Sequence, residues 1–222
     1  MKIVENYDQH NLFELHTTNF ITKKKMFDLI LANFAMHISL EPSETAYVKS
    51  ILKRKSVKKN TILASAGETC KSIYFVDKGC LRMFYKDIEG NDHNIVFCPD
   101  NWWAIDIASF STQSPSFYSI SALEDSEVFY ISFNVLEDLY LKVPKFERFF
   151  RILTQNGFNF YQQRITSNLS KTAEERYLQF QRQYPKLELR IAQKHIASYL
   201  GITPVFLSML RHKYNIKFFP DL

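Results

Sequence analysis

Ten side chains close to the C-terminus have the chemistry needed to hold a polyanion and touch what lies between its charges. Arg190, Lys194, Arg211 and Lys213 supply cations that pair with phosphate oxygens regardless of sequence. Gln193, Thr203, Ser208 and His212 offer hydrogen bonds, and Val205 and Met209 offer apolar contact alone. These groups act together only if a rigid frame presents them on one side.

The residues around them specify such a frame. Ile196 and Leu200 are spaced to bury one helix face, with Ala197 small where two helices cross. Gly201 follows at once, suited to the positive φ that ends a helix. Thr203 can cap a second helix and Pro204 fits its first turn. Leu207, Leu210 and Tyr214 then form its buried stripe. The expectation is a helix-turn-helix between residues 190 and 214. On a wheel of 100° per residue, the face opposite that stripe carries Val205, Ser208, Met209 and His212, with Arg211 and Lys213 on the flanks. That face is mostly apolar, so it lacks the arginine or amide forks that discriminate bases by paired hydrogen bonds.

Charge supports a nucleic-acid-binding C-terminal part. The net charge is +5 overall, but residues 1–135 carry 14 Lys+Arg against 16 Asp+Glu, while residues 136–222 carry 14 against 7. Other chemistries find little support. The three cysteines, Cys70, Cys80 and Cys98, are odd in number and have no CxxC spacing, so they read as small buried hydrophobes before a redox-sensing pair. The histidines at 10, 16, 37, 93, 195 and 212 are scattered, and only His93 falls in a β-rich stretch, so no metal site is expected. Neither a P-loop, a GxSxG nor a GxGxxG motif occurs, and we expect neither an enzyme nor a cofactor. No apolar run reaches the roughly 20 residues of a membrane helix, and the first 20 residues contain no apolar signal core, so a cytoplasmic location without membrane contact is expected.

The elements that must position the C-terminal motif read in three blocks. Residues 1–55 look mainly helical, with Met26, Phe27, Ile30, Leu31 and Phe34 at helical spacing and Pro42 near a second helix start; Lys23-Lys24-Lys25 reads as a solvated run. From Val57 to Ser132, six or seven short β-rich runs alternate with turn clusters such as Asp77-Lys78-Gly79, as in a small barrel or roll. Helical period then returns. Phe146, Phe149, Phe150, Leu153, Phe160 and Tyr161 recur at three-to-four spacing over a long helix that begins after Pro144, with Gly157 inside it. So long an aromatic stripe calls for a partner helix, and we expect these residues to form a homodimer interface. Thr172, with Glu174 and Glu175 after it, caps a further helix ending near Tyr184-Pro185, and 187–191 reads as a short β-like link.

Ile73-Tyr74-Phe75-Val76-Asp77-Lys78-Gly79 with Arg82, Ala122-Leu123-Glu124-Asp125-Ser126-Glu127, and the Ile196-to-Arg211 motif together resemble the Crp/Fnr family of bacterial regulators, in wording most like a Bacteroidetes-type branch. The resemblance implies an α+β chain. Residues 1–143 would be N-terminal helices and a jelly-roll-like double-stranded β-roll sensor of cyclic-nucleotide-binding type. Residues 144–170 would be a dimerisation helix and 171–222 a winged helix-turn-helix. It further implies double-stranded DNA and RNA polymerase as partners. Two departures stand out. Residues 99–106 and 114–119 lack the Gly-Glu and Arg-Ser or Arg-Thr pairs with which relatives hold cyclic AMP, and no Arg or Lys occurs between Lys86 and Lys142. A cyclic phosphate would be desolvated there without a cation. Any small-molecule effector would then be more apolar, held by Trp102, Trp103, Phe117 and Tyr118 with Asp106 or Ser116 as polar handles. The second departure is Met209, where many relatives carry Arg. The fumarate–nitrate type uses an N-terminal cysteine cluster, and no cysteine precedes Cys70. The alternative reading is a ligand-sensing dimer whose degenerate DNA-binding domain acts through protein partners.

Overall fold

The computed structural model describes residues 26–218; the Lys23-Lys24-Lys25 run lies outside them. Helices α1 (Asp28–Ala35) and α2 (Pro42–Ile51) precede the roll. Pro42 opens α2, and Glu41 and Glu44 exchange a capping box, Glu41 N–H donating to Glu44 Oε2 at 2.8 Å. Eight strands follow: β1 (Lys53–Val57), β2 (Ile62–Ala64), β3 (Ser72–Lys78), β4 (Leu81–Lys86), β5 (Asp92–Cys98), β6 (Trp103–Ala104), β7 (Ser119–Ala122) and β8 (Ser126–Ser132), with α3 (Ile107–Thr112) between β6 and β7. They form two antiparallel sheets, ordered β1-β8-β3-β6 and β2-β7-β4-β5. The roll therefore starts at Lys53, inside the stretch expected to be helical. Four of the five β1 residues are exposed, so this edge strand shows none of the alternation that marks a half-buried one.

Gly79 makes the β3–β4 turn possible. Its φ is +104°, and a Cβ there would stand 2.2 Å from Ser126 Oγ and 2.7 Å from Ser126 Cα. No side chain fits between the turn and β8.

The second sheet has two apolar faces with different partners. Leu81, Met83, Val96, Cys98, Ile120 and Ala122 point into the roll and join one core with α1, α2 and the helices after β8. Cys80, Phe97 and Leu123 point the other way and join a second core with the C-terminal helices. That second use explains why these strands carry apolar residues at consecutive positions.

After the roll come α4 (Phe133–Lys142), α5 (Lys145–Ser170), α6 (Ala173–Gln183), α7 (Gln193–Leu200) and α8 (Pro204–Phe218). α5 has 26 residues and runs about 39 Å. Its aromatic stripe is not used as expected. Phe146 and Phe149 meet Phe34 edge-on at 4.9 and 5.0 Å, and Phe150 meets Trp103 at 5.6 Å. All three are buried in the roll's own core, and Leu153, Phe160 and Tyr161 pack partly against it. Their helical period was read correctly, but period alone cannot tell a partner helix from the same chain's roll. A different stripe of α5 stays open: Phe158, Ile165 and Leu169 are 61, 60 and 84 % exposed. With Gln155 and Gln162 they recur at alternating four- and three-residue steps, the 3.5-residue period of a two-helix seam. Gly157 lies beside this seam, and a Cβ there would meet nothing within 4 Å.

The segment after α6 is a 3₁₀ turn, Leu187–Leu189, and not the expected β-like link. Lys186 adopts φ 63°, and the amides of Leu187, Leu189 and Arg190 bond locally to the carbonyls of Tyr184, Lys186 and Leu187. Backbone groups satisfied this way have no ladder to extend. No strand accompanies α6–α8 among the described residues, so the expected wing is not seen there.

Candidate nucleic-acid interface

The turn between α7 and α8 is built as the sequence specifies. Gly201 ends α7 in the left-handed region at φ 65°, and Ile202 N–H returns to the Ala197 carbonyl at 3.0 Å. Thr203 Oγ1 accepts from Phe206 N–H at 3.1 Å, starting α8 within two residues. Leu207 and Leu210 are buried against Ile196, Ala197 and Leu200. Thr203, Val205, Ser208, Met209, His212 and Lys213 are left exposed along α8, with Val205 at 72 % and Met209 at 61 %. Gln193 and Lys194 are exposed at the start of α7.

The cations divide. Lys213 Nζ sits 2.9 Å from both carboxylate oxygens of Glu174, and Arg211 Nε lies 3.9 Å from Glu188. The Lys213–Glu174 pair is exposed and exchanges readily for phosphate, whereas Arg211 and Glu188 are largely buried. Arg190 is a correction. It faces the roll, donating to Asp100 at 2.9 Å, to the Gly79 carbonyl at 3.0 Å and to Glu124. The charge asymmetry that suggested phosphate contact here works within the chain, joining the basic C-terminal part to an acidic end of the roll.

The roll grips α7 directly. Arg82 is buried on the outer face of β4 and serves as the hub. Its Nη2 donates to Asp92 at 2.7 Å, Nε to Ser121 at 3.0 Å, and Nη1 to Asn94 Oδ1 at 3.0 Å. Nη1 also lies 3.2 Å from His195 Nδ1 of α7, and the guanidinium stacks on Phe84 at 3.8 Å. Asn94 continues the clamp: its amide donates to the His195 carbonyl, its backbone N–H to Ser198 Oγ, and Ser198 Oγ to the Asp92 carbonyl at 2.6 Å. Arg164 of α5 adds hydrogen bonds to the carbonyls of Asn94 and Tyr199. Beneath these polar contacts Phe97 packs against Tyr199 and Tyr184 at 5.1 and 5.8 Å. Sequence reading missed the clamp because its partners lie more than a hundred residues apart. The available signal was Arg82 itself, a charge set among the apolar residues of β4 and buried with them, unlike the exposed Lys86 at its end.

Arg82 is always a donor, so His195 Nδ1 must accept, and the ring is neutral. Burial first, and then Arg82, lower its pKa from 6.5 to about 4. The unfolded chain therefore binds the extra proton more readily than the folded one. The stabilisation is complete above pH 6.5 and is lost as pH falls from there through 4. We expect the urea midpoint to drop between pH 7 and pH 4.5, and His195→Gln to flatten that part of the profile. An unchanged wild-type midpoint across this window would contradict the neutral-histidine assignment.

The residues expected to form one effector pocket turn to different neighbours. Asp106 caps α3 and accepts from Ser116 Oγ at 2.6 Å, so the two proposed handles satisfy each other. Trp103 packs among Phe34, Phe75, Phe149 and Phe150 and donates to Asn33 at 2.9 Å. Trp102 turns to Phe160 and Tyr184. Tyr118 is half-buried, while Phe117 is exposed and stacks on Tyr85 at 5.9 Å. Adjacent aromatic residues alternate sides, which separates them. Cys70, Cys80 and Cys98 are free and buried, and burial raises each thiol's pKa, Cys98 to about 12, which opposes thiolate formation.

Comparison with known proteins places this arrangement. The cyclic nucleotide-binding domain family matches residues 54–142, the roll through α4. The chain is 28 % identical over 204 residues to the fumarate and nitrate reduction regulatory protein of Vibrio cholerae, covering 85 % of this chain and 79 % of that protein. It is 28 % identical over 196 residues to the anaerobic regulatory protein of Pasteurella multocida, covering 82 and 71 %. The solved structure of a crp/fnr-family transcriptional regulator from Eubacterium rectale shares the fold, with a TM-score of 0.62, 19 % identity and coverage of 80 and 85 %.

Proposed function

We propose that the chain is a transcriptional regulator of the Crp/Fnr family, as its similarity to such regulators supports, and that it works as a cytoplasmic homodimer that reads double-stranded DNA with α8. The observation that carries this reading is the tight α7–Gly201–Thr203–α8 turn with the Val205–Ser208–Met209–His212 face open beside exposed Lys194. In this reading residues up to 143 form the sensor, 144–170 the dimer helix and 171–222 the DNA-binding part. The dimer seam is the open stripe of Phe158, Ile165 and Leu169, with Gly157 admitting the partner helix. RNA polymerase is the expected protein partner. No helix among the described residues is long and apolar enough to cross a membrane.

The effector is a small molecule other than cyclic AMP. Lys86 and Lys142 bound a stretch without cations. Arg82, just before it, turns its guanidinium outward to α7 and not into the roll. A cyclic phosphate inside would face no positive charge.

Fluorescence anisotropy on labelled promoter fragments between 50 and 200 mM salt tests the reading. Affinity should fall steeply and linearly on a log–log plot as counterions are released, and cyclic AMP should leave it unchanged. Absence of binding at the lowest salt would overturn the DNA assignment.

A further inference from the structure

We infer that α8 reads its operator chiefly through the C5-methyl groups of thymines; the inference rests on α8 being the DNA-reading helix. The open face of α8 carries Val205 and Met209, 72 and 61 % exposed, with Phe206 at 40 % beside them. Large apolar groups this open toward water, on a helix whose other face is fully packed by Leu207 and Leu210, remain unused within the protomer. In a major groove the apolar feature on offer is the thymine methyl. The same face has no arginine, asparagine, glutamine or carboxylate between Thr203 and Leu210, so it cannot form the bidentate bonds that pick out guanine or adenine. Ser208 and His212 are its hydrogen-bonding groups, each able to make single contacts.

The occupant follows from position and charge. Val205 and Met209 lie in the first two turns of α8, the part of a recognition helix that meets base edges. Exposed Lys194 and Lys213 flank that face with charge suited to the two phosphate walls of a groove. A methionine side chain is flexible and adapts to methyls at slightly different positions. The half-site should therefore contain thymines at two neighbouring positions, contacted by Val205 and Met209.

Uracil differs from thymine only in lacking this methyl, and it leaves every hydrogen-bonding group in place. The probe is a duplex enriched from a random pool by the full-length protein and then resynthesised with deoxyuridine for thymidine in each half-site. Each methyl removed from a contacted position should weaken binding about fourfold, with the salt slope unchanged. Val205→Ala and Met209→Ala, both on the surface and harmless to the fold, should each erase the thymine–uracil difference at one position. Equal affinity for thymine and uracil duplexes, or enriched half-sites without thymine, would overturn the inference while leaving the DNA-binding assignment standing. Failure to enrich any duplex would overturn both.

Discussion

Replacing Arg82 by methionine is expected to lower the unfolding free energy by about 3 kcal/mol, the low end for breaking a buried ion pair. Methionine retains an aliphatic stem of similar length, so the loss isolates the guanidinium with its hydrogen bonds and its stacking on Phe84. Four partners lose their donor at once: Asp92, Ser121, Asn94 and His195. Asp92 keeps Lys86 at 2.9 Å and is not left as a lone charge, which holds the effect below the upper end of the range. The damage should be local first. Amides of α7 and β5 should exchange with solvent sooner than those of β3 and β8, which lie in the other sheet. Urea titration and amide exchange check both parts. A loss below 1 kcal/mol, or uniform loosening of the roll, would show that the second apolar core alone holds α7.

Ile165→Glu is expected to convert the dimer to monomers and to weaken DNA binding at least 100-fold. Position 165 lies in the middle of the open stripe between Phe158 and Leu169, so in a two-fold pair it comes close to its own copy. Two carboxylates would be desolvated opposite one another, at a cost that removal of two isoleucine contacts only increases. DNA affinity follows because the second half-site is then no longer held at high effective concentration, an advantage of 10²–10⁴. Sedimentation velocity and anisotropy measure the two effects on one preparation. A variant that stays dimeric would move the seam to another face of α5.

Much of the fold was legible because its signals are local. Gly201 and Thr203 define the helix-turn-helix within three residues, and Pro42, Thr172 and Glu175 mark helix starts by hydrogen bonds that span one turn. What escaped depends on distant partners. β1 is an edge strand whose Lys53, Arg54, Lys55 and Ser56 are exposed, so its pairing with β8 leaves no mark on its own residues. The α5 aromatics show helical period, but only the position of Phe34, more than a hundred residues away, directs Phe146 and Phe149 into the roll. Arg190 misled for the same reason, since its carboxylate partners lie at 100 and 124. The open face of α8 was thus legible, since its exposure is set by the helix's own spacing. At Arg190 and in the roll the fold decides what each side chain meets, and spacing alone does not give those partners.

Those intrachain contacts give the regulator its working logic. α7 is clamped to the roll through Arg82 and Asn94, and Arg190 ties the turn before it to the roll, while the Val205–Met209 face of α8 remains open. In the proposed reading, an effector that shifted β4 or β5 would move α7 with it. The route is short, since Arg82 and Asn94 are themselves strand residues.

The most direct test of a dimer reading DNA through two copies of α8 is a hydroxyl-radical footprint on an enriched duplex, with stoichiometry measured by sedimentation. The account predicts two protomers per duplex and two protected major-groove segments related by two-fold symmetry, with centres about 34 Å, or one helical turn, apart. Protection of a single segment by one protomer, or a diffuse pattern with no fixed register, would contradict it.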